Sequence, residues 1–281
     1  MDYVIITPAK NEEKYIRYTL DSVVNQTLKP VEWIIVNDGS TDRTAEIVEE
    51  YVKKHVWIKL ITIRKNEKRA PGSKVVRAFY SGYTKIKKDY DVISKLDADL
   101  TLPINYFRKV IDSFQDEKKV GLCGGYCKIN KKGKWIKEKT ASYHVRGAFK
   151  AYRREAFEDI GGFDEVLGWD GLDQMKLLHK GWNIKVLDLS VKHHRVTGEE
   201  SDISDLNFEL GVACYKKGYS WFITLIHAIV SLIRKKKVKP FIMMLKGYYH
   251  ATIIKEKKNV DKDLEKFIRK FQLNRIIKFK L

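Results

Sequence analysis

Short apolar runs alternate with amphipathic segments through the first part of the chain. The runs are rich in β-branched residues, which predicts buried strands, at 3–7, 32–36, 57–63 and 92–96. Between the runs, apolar residues recur every three or four positions, which predicts helices. Asn11, followed by two glutamates, predicts the N-cap of the first helix. Strands that alternate with helices favour a parallel, doubly wound sheet whose ligand crevice lies at the carboxyl ends of the strands.

The pattern changes after a predicted helix at 106–114. The later elements are a strand, a basic hairpin or loop, a returning strand, a helix and a last strand, at 120–126, 128–139, 148–152, 169–180 and 184–191. No low-complexity linker interrupts this region. We therefore predict one domain over 1–205, made of the halves 1–100 and 101–205.

Residues 206–281 form a predicted extension of basic amphipathic helices. From 211 to 281 there are 18 basic and 4 acidic residues. The longest apolar run, Trp221 to Ile233, has 13 residues, too few to span a bilayer. The helices over 221–281 either lie on an anionic membrane surface or pack on the core with their lysines in solvent, and the sequence leaves both readings open.

Composition and charge narrow the class of protein. A chain of 281 residues with 44% hydrophobic residues is globular, and its net charge is +19. Cys123, Cys127 and Cys214 are odd in number and lack zinc-site spacing, and no leader precedes the first strand, so we expect a cytoplasmic protein. If the basic helices bind the membrane, we expect the protein at the inner face of the cell membrane.

Two carboxylates end the fourth apolar run. On an extended backbone Asp97 and Asp99 would point to the same side, where both could face a cation. Carboxylate oxygens suit Mg²⁺ or Mn²⁺, which complete their shells with phosphates and water. The pair alone is a weak signal, because Asp-x-Asp in a turn is usually a solvated cap.

Three segments together make the signal specific: 7–12 (TPAKNE), 36–42 (VNDGSTD) and 96–99 (LDAD). Each follows or ends a predicted strand. In order and spacing they resemble the first three signatures of family 2 glycosyltransferases. This resemblance implies the GT-A fold, a Rossmann-like, mixed and mainly parallel sheet flanked by helices, with a nucleotide-binding half and an acceptor half. It also implies inverting transfer of a sugar from a nucleotide-diphosphate donor to a hydroxyl acceptor.

The resemblance assigns the nucleoside pocket. Pro8, Ala9 and Glu12 would line it, Asp38 would accept a hydrogen bond from the base, and Asp97 would lie near the ribose. A UDP-sugar is the family-level expectation for the donor, and a glycan or a lipid-linked molecule for the acceptor.

The resemblance also assigns the diphosphate site. Asp99 would bind the Mn²⁺ or Mg²⁺ ion, and either His193 or His194 corresponds to a late histidine that completes the metal shell. Arg195 could then reach the diphosphate. Basic donors must stabilise the charge that grows on the leaving group, and the candidates are Arg64, Arg69 and Lys74.

The family places its catalytic carboxylate at the start of a later helix, after another acid. Here Asp170 occupies that position and is the expected general base, but Trp169 stands where an acid is usual. Asp173, one helical turn on, is the alternative base or a residue that orients the acceptor.

Two other functions remain to be weighed. A sugar-phosphate nucleotidyltransferase would also need strand-end carboxylates, but it usually has a glycine-rich basic segment directly after the first strand, and 8–12 contains no glycine. A nucleic-acid-binding protein would fit the charge. An acid-lined crevice would repel phosphate unless a cation is bound, so we expect no nucleic-acid partner.

Overall fold

The computed structural model describes residues 1–63, 73–195 and 203–278. The strands in these ranges are β1 Tyr3–Ala9, β2 Glu32–Asn37, β3 Ile58–Thr62, β4 Val92–Leu96, β5 Leu100–Thr101, β6 Val120–Lys131, β7 Lys134–Lys137, β8 Phe149–Arg153 and β9 Asn183–His193. The helices are α1 Ile16–Val24, α2 Thr44–Val52, α3 Ser73–Tyr83, α4 Tyr106–Asp116, α5 Arg154–Asp159, α6 Trp169–His179, α7 Ile203–Lys216, α8 Trp221–Lys235, α9 Val238–Ile253 and α10 Lys262–Lys278.

One mixed sheet joins all of these strands in the order β3-β2-β1-β4-β8-β6-β9-β5, with β7 paired to β6. Strands β3, β2, β1 and β4 are parallel, as the alternating sequence pattern predicts. The side chains of β1, β2 and β4 are mostly buried, which explains why these strands read as continuous apolar runs, whereas those of the edge strand β3 are mostly half-buried.

The second half of the sheet is mixed. Strand β8 pairs antiparallel with both β4 and β6, β9 runs parallel to β6, and β5 pairs antiparallel with β9. The basic segment predicted as a hairpin or loop is a hairpin of β6 and β7. The short pairing of β5 with β9 matters most, because it brings the end of the last strand beside the end of β4.

The described chain divides into two compact units. The first comprises 1–63, 74–163 and 180–195 and contains every strand of the sheet. The second comprises 164–179 and 203–278, so helix α6 groups with α7 to α10. This grouping of α6 was not evident in the sequence. The predicted domains 1–205 and 206–281 stay predictions.

In the second unit, α7 and α9 cross at two glycines. A Cβ added to Gly211 would lie 2.0 Å from the Met244 carbonyl oxygen, and one added to Gly247 would lie 2.0 Å from the Phe208 carbonyl oxygen. The two backbones therefore approach so closely that no larger residue fits at either position. Around this crossing, Cys214 and Ala228 contribute to a small buried cluster.

We expect Gly211→Ala to lower the free energy of unfolding by about 2–3 kcal/mol, because the new methyl group must push two helix backbones apart. The measurement is urea denaturation. Gly171→Ala is the matched control: this helical glycine has open space around its Cβ position, so alanine should raise stability by up to about 1 kcal/mol. Equal stabilities of the two variants would contradict the close crossing.

Among the described residues, every helix is too short or too polar to cross a lipid bilayer.

Candidate functional site

The carboxyl ends of β1 and β2 bring three of the predicted nucleoside residues together. Pro8 pairs with Val36 and Ala9 with Asn37 in the parallel register. Asp38 follows β2, is only 6% exposed, and donates its backbone N–H to the Ala9 carbonyl oxygen at 2.8 Å. A predicted contact of the Asp38 side chain with a base stays a prediction.

The loops after β1 and β2 are tied to each other through Asn11. Asn11 has a left-handed backbone with φ of 52°, and its Oδ1 accepts the Thr41 N–H at 2.9 Å. Its own N–H donates to Ser40 Oγ at 3.0 Å. Helix α1 begins only at Ile16, so the prediction that Asn11 caps this helix is wrong. The side chain bridges two loops instead.

The acid pair lies in a turn and not on extended strand. Strand β4 ends at Leu96, and β5 begins at Leu100, so Asp97 and Asp99 occupy the connection between them. The turn is held at one end by the Asp97 N–H, which donates to the Ala148 carbonyl oxygen at 2.8 Å. The prediction that Asp97 and Asp99 point to the same side because they lie on an extended strand is therefore wrong. The two carboxylates nevertheless come close together.

Asp97, Asp99 and His193 form a group that could hold a metal ion. One ligand atom from each lies within 4.8 Å of the others, and Asp99 and His193 are buried. His193 Nε2 is 3.0 Å from Asp99 Oδ2. The pairing of Leu100 with His193 in β5 and β9 sets this contact across more than ninety positions of the chain.

The geometry of this group fits a divalent cation. Ligands at right angles around an ion with bonds of about 2.1 Å are separated by about 3 Å, which is the Asp99–His193 contact distance. Asp99 Oδ1 and His193 Nδ1 are buried and have no hydrogen-bond partner. Buried polar atoms normally have a partner, so Asp99 Oδ1 leaves coordination capacity unused, whereas His193 Nδ1 points away from an ion bound at Nε2. Carboxylate oxygens suit Mn²⁺ and Mg²⁺.

The charges around the group also favour a cation. Burial, followed by the nearby charge of Asp99, raises the pKa of Glu12 to about 8, against the opposing effect of Arg195. Burial raises the pKa of Asp97, with a further rise from Asp99 and a lowering by Lys95. Burial also opposes ionisation of Asp99, but the hydrogen bond and charge of His193 and the charge of Arg195 lower its pKa overall. The carboxylates of Glu12, Asp97 and Asp99 thus repel one another in a partly desolvated site, and a bound cation would reduce this repulsion.

Two cations organise these carboxylates: Arg195, which was expected to reach the diphosphate, and Lys95, which was not predicted as a site residue. Arg195 pairs with Glu12 and lies 3.7 Å from Asp99 Oδ2. Lys95 is 3% exposed, pairs with Asp97, and donates to the Gly147 carbonyl oxygen at 2.9 Å. The sequence signal for Lys95 was a charged residue inside an apolar run, two positions before an acid.

His194 does not belong to the metal group. Its ring stacks on Tyr18 with centroids 4.1 Å apart, and its Nε2 lies 2.7 Å from Thr101 Oγ1. Burial lowers its pKa. Its backbone N–H donates to the Asp99 carbonyl oxygen at 2.9 Å. Of the two histidines, His193 is the one that the structure brings to the aspartates.

Of the three predicted basic donors, the described part of the chain includes Lys74 alone. Lys74 is exposed in the first turn of α3. Arg64 and Arg69 lie outside the described residues. Their assignment to the diphosphate stays a prediction.

The two candidate bases lie on α6 in the second unit. Asp170 is half-buried in the first turn of the helix. Asp173 is 1% exposed, and its Oδ1 accepts the backbone N–H of Gln174 at 2.5 Å. The Gln174 side chain in turn donates to the Asp170 carbonyl oxygen at 2.5 Å. The carboxylate that a substrate could reach more easily is therefore Asp170.

Comparison with known proteins identifies the class. The family model for glycosyl transferase family 2 matches residues 4–165, and the chain belongs to this family. It is 29% identical over 214 residues to the probable glycosyltransferase YdaM of Bacillus subtilis, which covers 66% of this chain and 49% of that protein. It is 29% identical over 187 residues to the minor teichoic acid biosynthesis protein GgaA of the same organism, which covers 59% of this chain and 40% of that protein. The chain thus spans half or less of these relatives.

Solved structures support the fold. The first 349 residues of S. aureus TarS, in complex with UDP-GlcNAc, match with a TM-score of 0.58 and 21% identity, over 76% of this chain and 66% of that one. The mannosyltransferase PcManGT of Pyrobaculum calidifontis, in complex with GDP-Man and Mn²⁺, matches with a TM-score of 0.55 and 14% identity, over 99% of this chain and 81% of that one. The predicted GT-A fold is confirmed, as is the predicted membership of glycosyl transferase family 2.

Proposed function

We propose that the protein is an inverting glycosyltransferase that moves a sugar from a nucleotide-diphosphate donor, with UDP as the expected nucleotide, to a hydroxyl acceptor. The observation that carries the proposal is the group of Asp97, Asp99 and His193, with Asp99 Oδ1 buried and unsatisfied, at the sheet edge where Pro8, Ala9 and Asp38 converge. Nucleotide donors are bound in the TarS and PcManGT structures, which have the same fold.

The metal that suits this site is Mn²⁺. Mg²⁺ strongly prefers oxygen ligands, so an imidazole nitrogen in the set favours the softer ion. Asp99 and His193 would hold it, with Asp97 as the third ligand or as a hydrogen-bond acceptor for the ribose. When bound, the ion would neutralise charge on the departing diphosphate.

The charged residues around the group have separate tasks in this proposal. Arg195, held by Glu12 and close to Asp99, is positioned to donate to a phosphate oxygen. Lys95 fixes the orientation of Asp97 through its ion pair and its bond to the Gly147 carbonyl. Arg64, Arg69 and Lys74 are further candidates for the diphosphate.

The general base of the proposal is Asp170. In an inverting transfer, one carboxylate takes the proton of the acceptor hydroxyl. The hydroxyl oxygen attacks the anomeric carbon at the same time, and the nucleoside diphosphate leaves. Asp170 corresponds to the family's catalytic position and is the more accessible of the two candidates. Asp173, fully buried and bonded to the backbone of the same helix, is proposed as a residue that positions this turn.

The stereochemistry of slow donor hydrolysis tests this function without a known acceptor. We expect the protein with Mn²⁺ to release free sugar from one of UDP-GlcNAc, UDP-glucose or GDP-mannose, with the anomeric configuration opposite to that of the donor. Proton NMR at early times, before mutarotation, reads the configuration. A first product with the configuration of the donor would contradict the inverting mechanism.

We further propose that α8 and α9 dock on an anionic membrane, where a lipid-linked acceptor would be found. Each helix has exposed apolar residues at the same spacing of seven and then four positions, in α8 Phe222, Ile229 and Ile233, and in α9 Ile242, Tyr249 and Ile253. The segment between the helices carries exposed Lys236 and Lys237, and the first turn of α9 carries exposed Lys239. Apolar stripes beside clustered lysines match the chemistry of an anionic lipid surface.

Vesicle co-sedimentation tests this docking. At low salt we expect the protein to bind phosphatidylglycerol vesicles, and Ile233→Ser with Ile253→Ser to weaken binding at least about tenfold, because each removes an inserted side chain. The control is Val56→Ser with Ile104→Ser, which changes two exposed apolar residues of the first unit. Absence of wild-type binding, or equal losses in both double variants, would contradict the proposal.

A further inference from the structure

Three lysines lie side by side across the sheet where the β6–β7 hairpin begins. Lys137 of β7 pairs with Lys128 of β6, and Lys128 pairs with Lys192 of β9. Directly paired residues of neighbouring strands point to the same face, so the three ammonium groups form one row, called here the lysine row. With strands about 4.8 Å apart, the row spans about 10 Å. Lys137 and Lys192 are exposed, and Lys128 is half-buried.

Aromatic rings flank the lysine row on the same face. Lys137 lies over the ring of Tyr126 with its Nζ 4.1 Å from the centroid, and Lys192 lies over the ring of Trp135 at 5.5 Å. These contacts hold the long side chains near one another and limit their freedom to swing apart. The row is therefore partly preorganised.

No carboxylate neutralises the row within the described part of the chain. Lys128, Lys137 and Lys192 make no ion pair there, and the nearest acid on the hairpin, Glu138, is paired with Arg146. Like charges directly opposite on a sheet destabilise it. The hairpin also carries exposed lysines at its tip, Lys131, Lys132 and Lys134. An anionic ligand would reduce the repulsion between the ammonium groups of the lysine row.

The lysine row borders the candidate metal site. Ile129, the neighbour of Lys128, pairs with His193, the neighbour of Lys192, so these two side chains point to the opposite face of the sheet from the row. The ring of Trp135 meets the ring of His194 edge to face at 5.3 Å. The backbone N–H of His194 donates to the Asp99 carbonyl oxygen at 2.9 Å. A ligand on the row would thus lie in the same compact unit as the donor site, beside Trp135 and His194 and next to the end of β9.

We propose that the lysine row binds an acceptor glycan that carries anionic groups, either phosphate or carboxylate. The inference rests on the proposed function, because an acceptor is needed only if sugar is transferred. Anionic groups spaced along such a polymer would meet the three ammonium groups while a hydroxyl of the chain reaches the donor. A nucleic acid is the less suitable polyanion, because Tyr126 and Trp135 already have ammonium groups over their faces, where bases would stack.

The test measures the binding of acidic and neutral polymers to three proteins. The row variant is Lys128→Gln, Lys137→Gln and Lys192→Gln, and the control variant is Lys53→Gln, Lys85→Gln and Lys88→Gln, which removes three exposed lysines from the same unit. The probes are dextran sulfate, neutral dextran of the same length, and single-stranded DNA with the same number of charges. Fluorescence titrations over a range of salt concentrations give affinity and salt dependence, and circular dichroism confirms the fold of each variant.

We expect the row variant to bind dextran sulfate at least about 30-fold more weakly than wild type, with a shallower salt dependence, and the control variant to lose less than about threefold. Neutral dextran should not bind to the row. Equal losses in the two variants would overturn the proposal, since general charge would then explain the binding. DNA bound through the row as tightly as dextran sulfate would overturn it in favour of a nucleic acid.

Nucleotide binding separates this inference from the proposed function. Wild type and both triple variants should bind the donor nucleotide with Mn²⁺ equally, because none of the six lysines belongs to the donor site. Failure of all three proteins to bind any nucleotide would count against the glycosyltransferase proposal. A selective loss of dextran sulfate binding in the row variant would still support an anionic ligand on this surface.

Discussion

Asp99→Asn should lower the Mn²⁺-dependent affinity for the donor nucleotide, and with it the rate of transfer, by at least about 100-fold. The substitution keeps the size of the side chain but replaces an anionic ligand with a neutral amide. Asp99 contributes one of the two buried atoms without a partner and the contact with His193 that fits a coordination shell. Its loss should therefore act through the metal and not through the fold.

Two controls show whether the effect of Asp99→Asn is specific to the metal. The control is Asp116→Asn, which removes an exposed carboxylate at the end of α4 and should leave nucleotide binding unchanged. Without metal, wild type and Asp99→Asn should bind the nucleotide equally weakly. A variant that keeps full Mn²⁺-dependent affinity would show that the ion, if bound, uses other ligands.

Asp170→Asn should lower kcat by about 10²- to 10⁴-fold and leave donor binding unchanged, because a general base acts only when the acceptor loses its proton. Steady-state transfer assays separate kcat from nucleotide affinity. The amide has nearly the same shape, so the helix should remain folded. This split between rate and affinity distinguishes the proposed base from the metal ligand, whose loss would weaken binding as well.

Asp173→Asn provides the matched comparison on the same helix. This carboxylate is buried and accepts the Gln174 N–H, so its loss should lower thermal stability and reduce kcat less than Asp170→Asn does. If Asp173→Asn abolishes turnover in a folded protein while Asp170→Asn remains active, the base is Asp173. That outcome would reject our assignment of roles within this helix.

The parallel half of the fold was predictable because burial on both faces leaves continuous apolar runs, and the polar residues that end those runs mark the ligand edge. Pro8, Ala9 and Asp38 were placed correctly beside each other on this basis. The GT-A fold itself came from the resemblance of three short segments. Local sequence patterns were enough for these features, because each depends on contacts within one strand or between neighbours.

Features that depend on distant parts of the chain were not predictable from local pattern. The contact of Asp99 with His193 is set by the pairing of β5, a strand of two residues, with the end of β9. The turn that holds Asp97 is fixed by buried Lys95, which looked like a charged interruption of a strand. Asn11 looked like a helix cap, but bonds to Thr41 of another loop decide its conformation.

The most direct test of the account is calorimetric titration of nucleoside diphosphates into wild type and Asp99→Asn, with and without Mn²⁺. The account predicts that one nucleotide, with UDP as the expected one, binds to wild type with micromolar affinity only when Mn²⁺ is present, and that Asp99→Asn loses this binding. Folded wild-type protein that binds no nucleoside diphosphate, or binds one equally well without metal and in the variant, would contradict the proposed donor site.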